Sequence, residues 1–321
     1  MKYLILTIVF LYCIGNYGVS FAQKQWTEPK SEVKQKMELQ SSEKLDFQRK
    51  LLTQMLSDQA KGGVEKIVRE GDRIVARIMV AKDGWGDSLP IDVATVCESV
   101  AITILKVLKP DVGHEPTIFV VRSSQGPMVL TQRGPKGEYI VLLNSRDRLW
   151  AQISYQFAHE MGHILGGDLS MSLPQHWFEE SFCEAVSIWT MQQMAESWKY
   201  NAPYENWRSY SSSIDDYIEK IRKRVALPDQ GYPQWYKMNR EVLTQNAIDR
   251  DKNLVLAVKL AEIAKVDSRF ILAFHYLRAS TSRKPTDNME WVLQNWIENC
   301  PENLKFAPYK VAEILDVKPA W

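Results

Sequence analysis

His159, Glu160 and His163 carry the strongest chemical signal in this 321-residue chain, within the run Phe157-Ala158-His159-Glu160-Met161-Gly162-His163. Two histidines four positions apart on a helix project from one face, one turn apart, so both imidazoles can reach a single ion. The glutamate between them points to one side of the pair. There it can take a proton from a metal-bound water without being a ligand itself. Zinc suits the nitrogen donors, and three protein ligands would leave its fourth position open for water. With only five histidines in the chain, a chance pair around a glutamate at this spacing is rare. The alternative is a helix that merely happens to carry two histidines.

A third ligand has to come from elsewhere. The pattern H-E-x-x-H-x-x-G-x-x-H of the metzincins has its glycine in Gly166, but its last ligand position is Leu169, which cannot bind zinc, and Asp168 is one residue off. The better source is Trp177-Phe178-Glu179-Glu180-Ser181-Phe182-Cys183-Glu184-Ala185. This run resembles the W-L-N-E-G-F-A motif of the gluzincin peptidases, the broad group that contains thermolysin and the aminopeptidase N family. Laid on that motif, Glu180 takes the ligand position. Sixteen residues separate it from His163, slightly fewer than is usual in those families, so the connecting loop must be short. Glu184 lies one turn beyond Glu180. The resemblance gives it the role of accepting a hydrogen bond from a ligating histidine, which orients the ring and raises its basicity. Glu179 falls about a hundred degrees round the helix and is expected to be solvated, and the bland reading of all three acids is an ordinary solvated helix face.

The resemblance covers roughly residues 115–200 and implies amide hydrolysis, with Glu160 as general base and proton carrier to the leaving amine. It also implies a sheet-edge strand above the cleft that can pair with a peptide substrate, and Tyr139–Leu143 is the candidate. One departure matters. Aminopeptidase N relatives place a G-x-M-E-N motif upstream, whose glutamate captures the substrate's free amine. Here Gly126-Pro127-Met128 runs into Val129 and Leu130, so internal cleavage is the expected mode. Tyr232, Tyr236 and His275 are candidate oxyanion donors, each more simply read as structural. His176 precedes the acidic helix and could touch substrate, though a loop histidine needs no function. His114 is assigned nothing.

The elements that must position these groups follow from patterning. Arg73–Val80 alternates as a strand, and Gly84-Trp85-Gly86 is turn chemistry. Ile91–Leu108 reads as a long helix stopped before Pro110. Thr117–Val121 and Tyr139–Leu143 are β-rich, with the turn residues Gly134-Pro135-Lys136-Gly137 between them. A helix is expected from about Arg148 through Leu165, stopped by Gly166-Gly167, and another from after Pro174 to about Trp198. Beyond it lie helical runs near Ile214–Val225, Asn253–Ala264, Ser268–Ala279 and Met289–Asn299. The aromatic-rich stretch from Trp198 to Trp235 is read as helix packing rather than as a cleft lining. The fold class is α+β, a gluzincin-like catalytic domain with a small mixed sheet and active-site helices, followed by a mostly α-helical C-terminal region.

At 45% hydrophobic the chain can bury a core, and a net charge of +1 argues against nucleic acid as the main partner. The expected partner is a peptide or protein substrate. Lys2, an apolar run from Tyr3 to Ile14 and the small-x-small Ser20-Phe21-Ala22 have the layout of a secretory signal peptide cleaved after Ala22. An uncleaved anchor is disfavoured because Gly15, Asn16 and Gly18 break the apolar run, and Tyr12 before Cys13 is too bulky for a lipobox. The expected location is therefore secreted or periplasmic, with no integral membrane segment after cleavage. The absence of any N-x-[ST] site is neutral or leans toward a bacterial source. Cys97, Cys183 and Cys300 permit at most one disulfide, with three possible pairings, and Cys183 is read as a small buried apolar residue. The organisation is then signal peptide 1–22, polar linker and N-terminal helix 23–64, zinc peptidase domain 65–200 and helical subdomain 201–321. Two other readings stand beside an active endopeptidase. One is a catalytically silent zinc-containing module whose helical half grips a partner. The other is a zymogen with residues 23–70 over the cleft.

Overall fold

Two apolar runs make the centre of the sheet. The computed structural model describes residues 63–108, 115–124, 127–166, 175–277 and 288–320. The expected signal peptide, the polar linker, the N-terminal helix expected from Ser42 to Gln59, His114, Gly126 and the stretch with Gly167, Asp168 and Leu169 lie outside them. Strand β3 (Thr117–Arg122) and strand β5 (Tyr139–Leu143) are apolar at consecutive positions, the signature of strands covered on both faces. They pair in parallel, and β3 pairs in parallel with β2 (Arg73–Val80). β1 (Val64–Glu70), whose weak alternation gave no strand signal, joins β2 as an antiparallel hairpin. The two-residue turn is Gly71-Asp72, with Gly71 at φ 60°, a conformation glycine adopts without strain.

The other edge corrects an expectation. Tyr139–Leu143 is not an edge strand, because the short strand β4 (Met128–Val129) pairs antiparallel along it. Leu130 extends the pairing by donating its N–H to the Ile140 carbonyl at 2.8 Å. The strand order is β1-β2-β3-β5-β4. Among the described residues β4 is the edge strand on that side of the sheet, and it packs against the helix that carries the histidines.

Nine α-helices accompany the sheet among the described residues. Helix α1 (Pro90–Leu108) links β2 to β3, and α2 (Trp150–Gly166) follows β5. Helix α3 (His176–Asn201) is buried almost all round from His176 to Met191, as a central helix must be. Then come α4 (Ser211–Arg222), α5 (Gly231–Gln245), α6 (Arg250–Val266), α7 (Arg269–Leu277), α8 (Met289–Asn299) and α9 (Phe306–Leu315). α5 and α9 carried no separate signal in the sequence. One apolar core runs from Val68 to Val317, so the C-terminal helices pack on the same core as the sheet. Trp207 sits against Trp150 and Trp198 at 5.2 and 5.6 Å between ring centroids, which makes this aromatic stretch packing, as expected. Cys97, Cys183 and Cys300 are buried free thiols.

The packing of α2 on α3 matters most for the chemistry. A β-carbon at Gly162 would lie 2.9 Å from Cys183 Sγ and 3.1 Å from Cys183 Cα. One at Gly166 would lie 2.5 Å from the Phe274 ring. Both glycines are therefore spacers that let α2 approach its neighbours closely. Behind α3, Phe182 stacks on Phe274 at 4.2 Å and 5° and meets Trp296 edge-on at 5.7 Å. These rings set the roll of α3 and turn its opposite face toward α2. In a solvated helix, Gly→Ala gains about 1 kcal/mol. Here Gly162→Ala should instead cost about 1–3 kcal/mol in urea unfolding through overpacking. Adding Cys183→Ala should recover only part of that, because the backbone of residue 183 stays just as close.

Candidate metal centre

The α2 face toward α3 presents His159 and His163, and the α3 face toward α2 presents His176, Glu179, Glu180 and Glu184. His159 Nε2 and His163 Nε2 are 3.2 Å apart. Glu180 Oε2 lies 3.2 Å from His159 Nε2, and Glu180 Oε1 lies 3.5 Å from His163 Nε2. Among the described residues these three side chains form a group able to hold a metal ion. Donors on a tetrahedral ion with bonds near 2.0–2.1 Å stand about 3.3 Å apart; the separations of His159 Nε2 from His163 Nε2 and from Glu180 Oε2, both 3.2 Å, fit such an ion, while the His163 contact at 3.5 Å falls on the other carboxylate oxygen.

The opposite edges of the rings sharpen the point. His163 Nδ1 is 2.8 Å from Glu179 Oε1. A neutral His163 that donates Nδ1–H to that carboxylate keeps its lone pair on Nε2, aimed at the shared point. Two ring nitrogens and a carboxylate oxygen thus converge where only a cation or added protons can relieve their repulsion.

Glu179 corrects a second expectation. It is not solvated but 3% exposed, and it bridges two rings, since its Oε2 lies 3.6 Å from His176 Nδ1. Burial pushes its carboxyl pKa up, but the hydrogen bond from His163 and the nearby His176 ring outweigh this and hold it at about 2. The motif reading treated position 179 as a generic flank of Glu180. The available signal was that its neighbours Trp177, Phe178 and Phe182 are all bulky and apolar, which buries the helix on every side.

His176 also proves to be more than a loop residue. It is the first residue of α3, it is buried, and its Nε2 lies 3.0 Å from Glu180 Oε1. Burial disfavours its charged form, yet its contacts with the Glu179 and Glu180 carboxylates prevail and raise its pKa to about 10. Glu180 itself is driven up by burial and held well below the ordinary carboxylate range by His159 and His176.

Glu184 lies on the Nδ1 side of His159, its Oε1 at 3.8 Å. That is an ion-pair distance, longer than a hydrogen bond. Its other oxygen accepts from the Tyr155 hydroxyl, and burial raises its pKa to about 7. The three expected oxyanion donors make other contacts. His275 Nδ1 is 3.1 Å from the Leu165 carbonyl at the end of α2, Tyr232 lies edge-on to Trp235, and Tyr236 stacks on Trp177. Tyr236 is thereby beside the start of α3.

Glu160 is 2% exposed. Burial raises its pKa to about 7, with Glu180 adding to the rise and His163 and the Val129 amide of β4 opposing it. A buried carboxyl near neutrality is poised to exchange protons. No protein-family model matches the chain, and no curated protein sequence does either.

The raised Glu160 pKa has a consequence for the metal-free protein. A carboxyl with a folded pKa above its unfolded value contributes no penalty below about pH 4.5 and a growing one up to about pH 7. Glu160→Gln should therefore stabilise the chelator-treated protein at pH 8, by on the order of 2–3 kcal/mol. At pH 4 the two proteins should unfold at nearly the same denaturant concentration. An equal gain at both pH values would contradict the assignment of that penalty to the ionised carboxylate.

Proposed function

We propose that this chain is an exported zinc-dependent peptidase of the gluzincin kind, acting on internal peptide bonds. The observation that carries the proposal is the convergence of His159 Nε2, His163 Nε2 and the Glu180 carboxylate at 3.2–3.5 Å, beside a buried glutamate on the same helix. Zinc is the favoured ion on donor type and spacing. Three facial donors on an octahedral ion would stand nearer, at about 3.0 Å for bonds of about 2.1 Å. Zinc bound here would act as a Lewis acid on the scissile carbonyl and on water, lowering the pKa of the latter.

The chain's own groups supply the rest. Glu160 accepts the proton of the attacking water and delivers it to the departing amine, the role its near-neutral pKa suits. β4, the edge strand among the described residues, offers backbone groups to an extended peptide, in the manner of an added strand. Glu179 holds the far side of His163 at hydrogen-bond distance, which fixes the tautomer that aims its Nε2 lone pair inward, and Glu184 lies on the far side of His159. The lack of an amine-capturing carboxylate after Met128 supports internal cleavage. Among the described residues no helix is long and apolar enough to cross a membrane. Export itself rests on the N-terminal sequence.

The test is a peptide-library digest with three proteins. The wild type should cleave, lose activity to a chelator and regain it with zinc. Glu160→Gln should keep its zinc and lose about 10²–10⁴-fold in rate. Glu180→Ala should lose both. A zinc-loaded wild type that cleaves nothing would favour the silent binding module instead.

A further inference from the structure

His176 stands outside the three-residue metal group, yet it is built into it. Its Nε2 is 3.0 Å from Glu180 Oε1, and its Nδ1 is 3.6 Å from Glu179 Oε2. Its ring lies nearly parallel to that of His163, with 6.2 Å between centroids and 13° between planes. The ring is buried, so these carboxylates are its partners in place of water. The four side chains close a cycle, running from His163 through Glu179 and His176 to Glu180 and back to His163.

Glu180 has one oxygen more than the ion needs. Oε2 is the nearer to His159, at 3.2 Å, while Oε1 sits between His163 at 3.5 Å and His176 at 3.0 Å. A buried carboxylate oxygen without a donor is costly. Left without one, Oε1 would turn toward the cation and take the position that water or substrate has to occupy.

We propose that His176 is a positioning residue that donates from Nε2 to Glu180 Oε1, holding that ligand to one oxygen and keeping a coordination position open. The inference rests on the zinc reading of the site. It adds a residue that the gluzincin resemblance does not supply, since nothing in the motif over Trp177–Cys183 reaches back to position 176.

The test uses the full chain and three substitutions that separate the two ring nitrogens. His176→Gln places an amide donor near the Nε2 position, His176→Asn places one near Nδ1, and His176→Phe keeps the ring without a donor. Zinc affinity is measured by competition with a chromophoric chelator, and the cobalt-substituted proteins are compared by visible absorption. Loss of a group that holds a metal ligand weakens affinity by about 10–100-fold. That loss is expected for the Phe and Asn variants, together with the weaker visible bands of a higher coordination number. The Gln variant should stay within about threefold of the wild type and keep its spectrum. Equal affinity and identical spectra in all four proteins would overturn the role of His176 while leaving the zinc site standing. An equal loss in the Gln, Asn and Phe variants would overturn it as well, since a donor at the Nε2 position would then make no difference. A wild type that binds no zinc would remove both this inference and the reading beneath it.

Discussion

Everything about this site depends on how closely α2 and α3 approach one another. Two imidazoles on one helix can share an ion with a carboxylate on the next only if the backbones nearly touch. At the crossing point the chain carries Gly162 opposite Cys183, with no room for even a methyl group. The aromatic stack of Phe182 on Phe274 and against Trp296 then fixes which side of α3 faces the histidines. Packing thus does the work of aiming. The C-terminal helices, which supply Phe274 and Trp296, belong to the site as much as the sheet does.

That packing creates an electrostatic problem and distributes its solution. Glu160, Glu179, Glu180 and Glu184 are all buried or nearly so, around two ring nitrogens 3.2 Å apart. Water cannot screen them, so their repulsion is large unless hydrogens or a cation intervene. Glu179 is relieved by His163 and His176, Glu184 by the Tyr155 hydroxyl, and Glu180 by His159 and His176. Burial still outweighs the relief at Glu160 and Glu184, and pushes the pKa of each up to about 7. A group left in this unsettled condition destabilises the fold and is chemically useful for the same reason.

The α+β order and the positions of the long elements were legible because their signals are local and strong. The consecutive apolar residues of β3 and β5 and the spacing of His159 and His163 belong to single elements, and an i, i+4 pair dictates a shared face whatever the tertiary context. The pairing with Glu180 was legible only through the motif resemblance, since no local rule joins residues on two helices. What escaped was set by tertiary packing. Two stretches next to turns, Val64–Glu70 and the two-residue Met128–Val129, become strands because a neighbour offers an edge, and β4 takes the edge expected of Tyr139–Leu143. Glu179 looked solvated when placed by angle from Glu180. It is buried because α3 is enclosed on all sides, by α2, α4 and α6 among others. His176 was read as a loop residue because the helix start could not be located to within one turn, and that turn decides whether its ring reaches Glu180.

The central claim, one ion held by His159, His163 and Glu180, is met most directly by X-ray absorption at the zinc edge on the purified full-length chain. One zinc per chain is expected. The first shell should hold only nitrogen and oxygen at about 2.0–2.1 Å, with the outer-shell scattering of two imidazoles, and one of the light atoms should be lost in Glu180→Ala. Sulfur at about 2.3 Å, scattering from any number of imidazoles other than two, or a first shell unchanged in Glu180→Ala would contradict it.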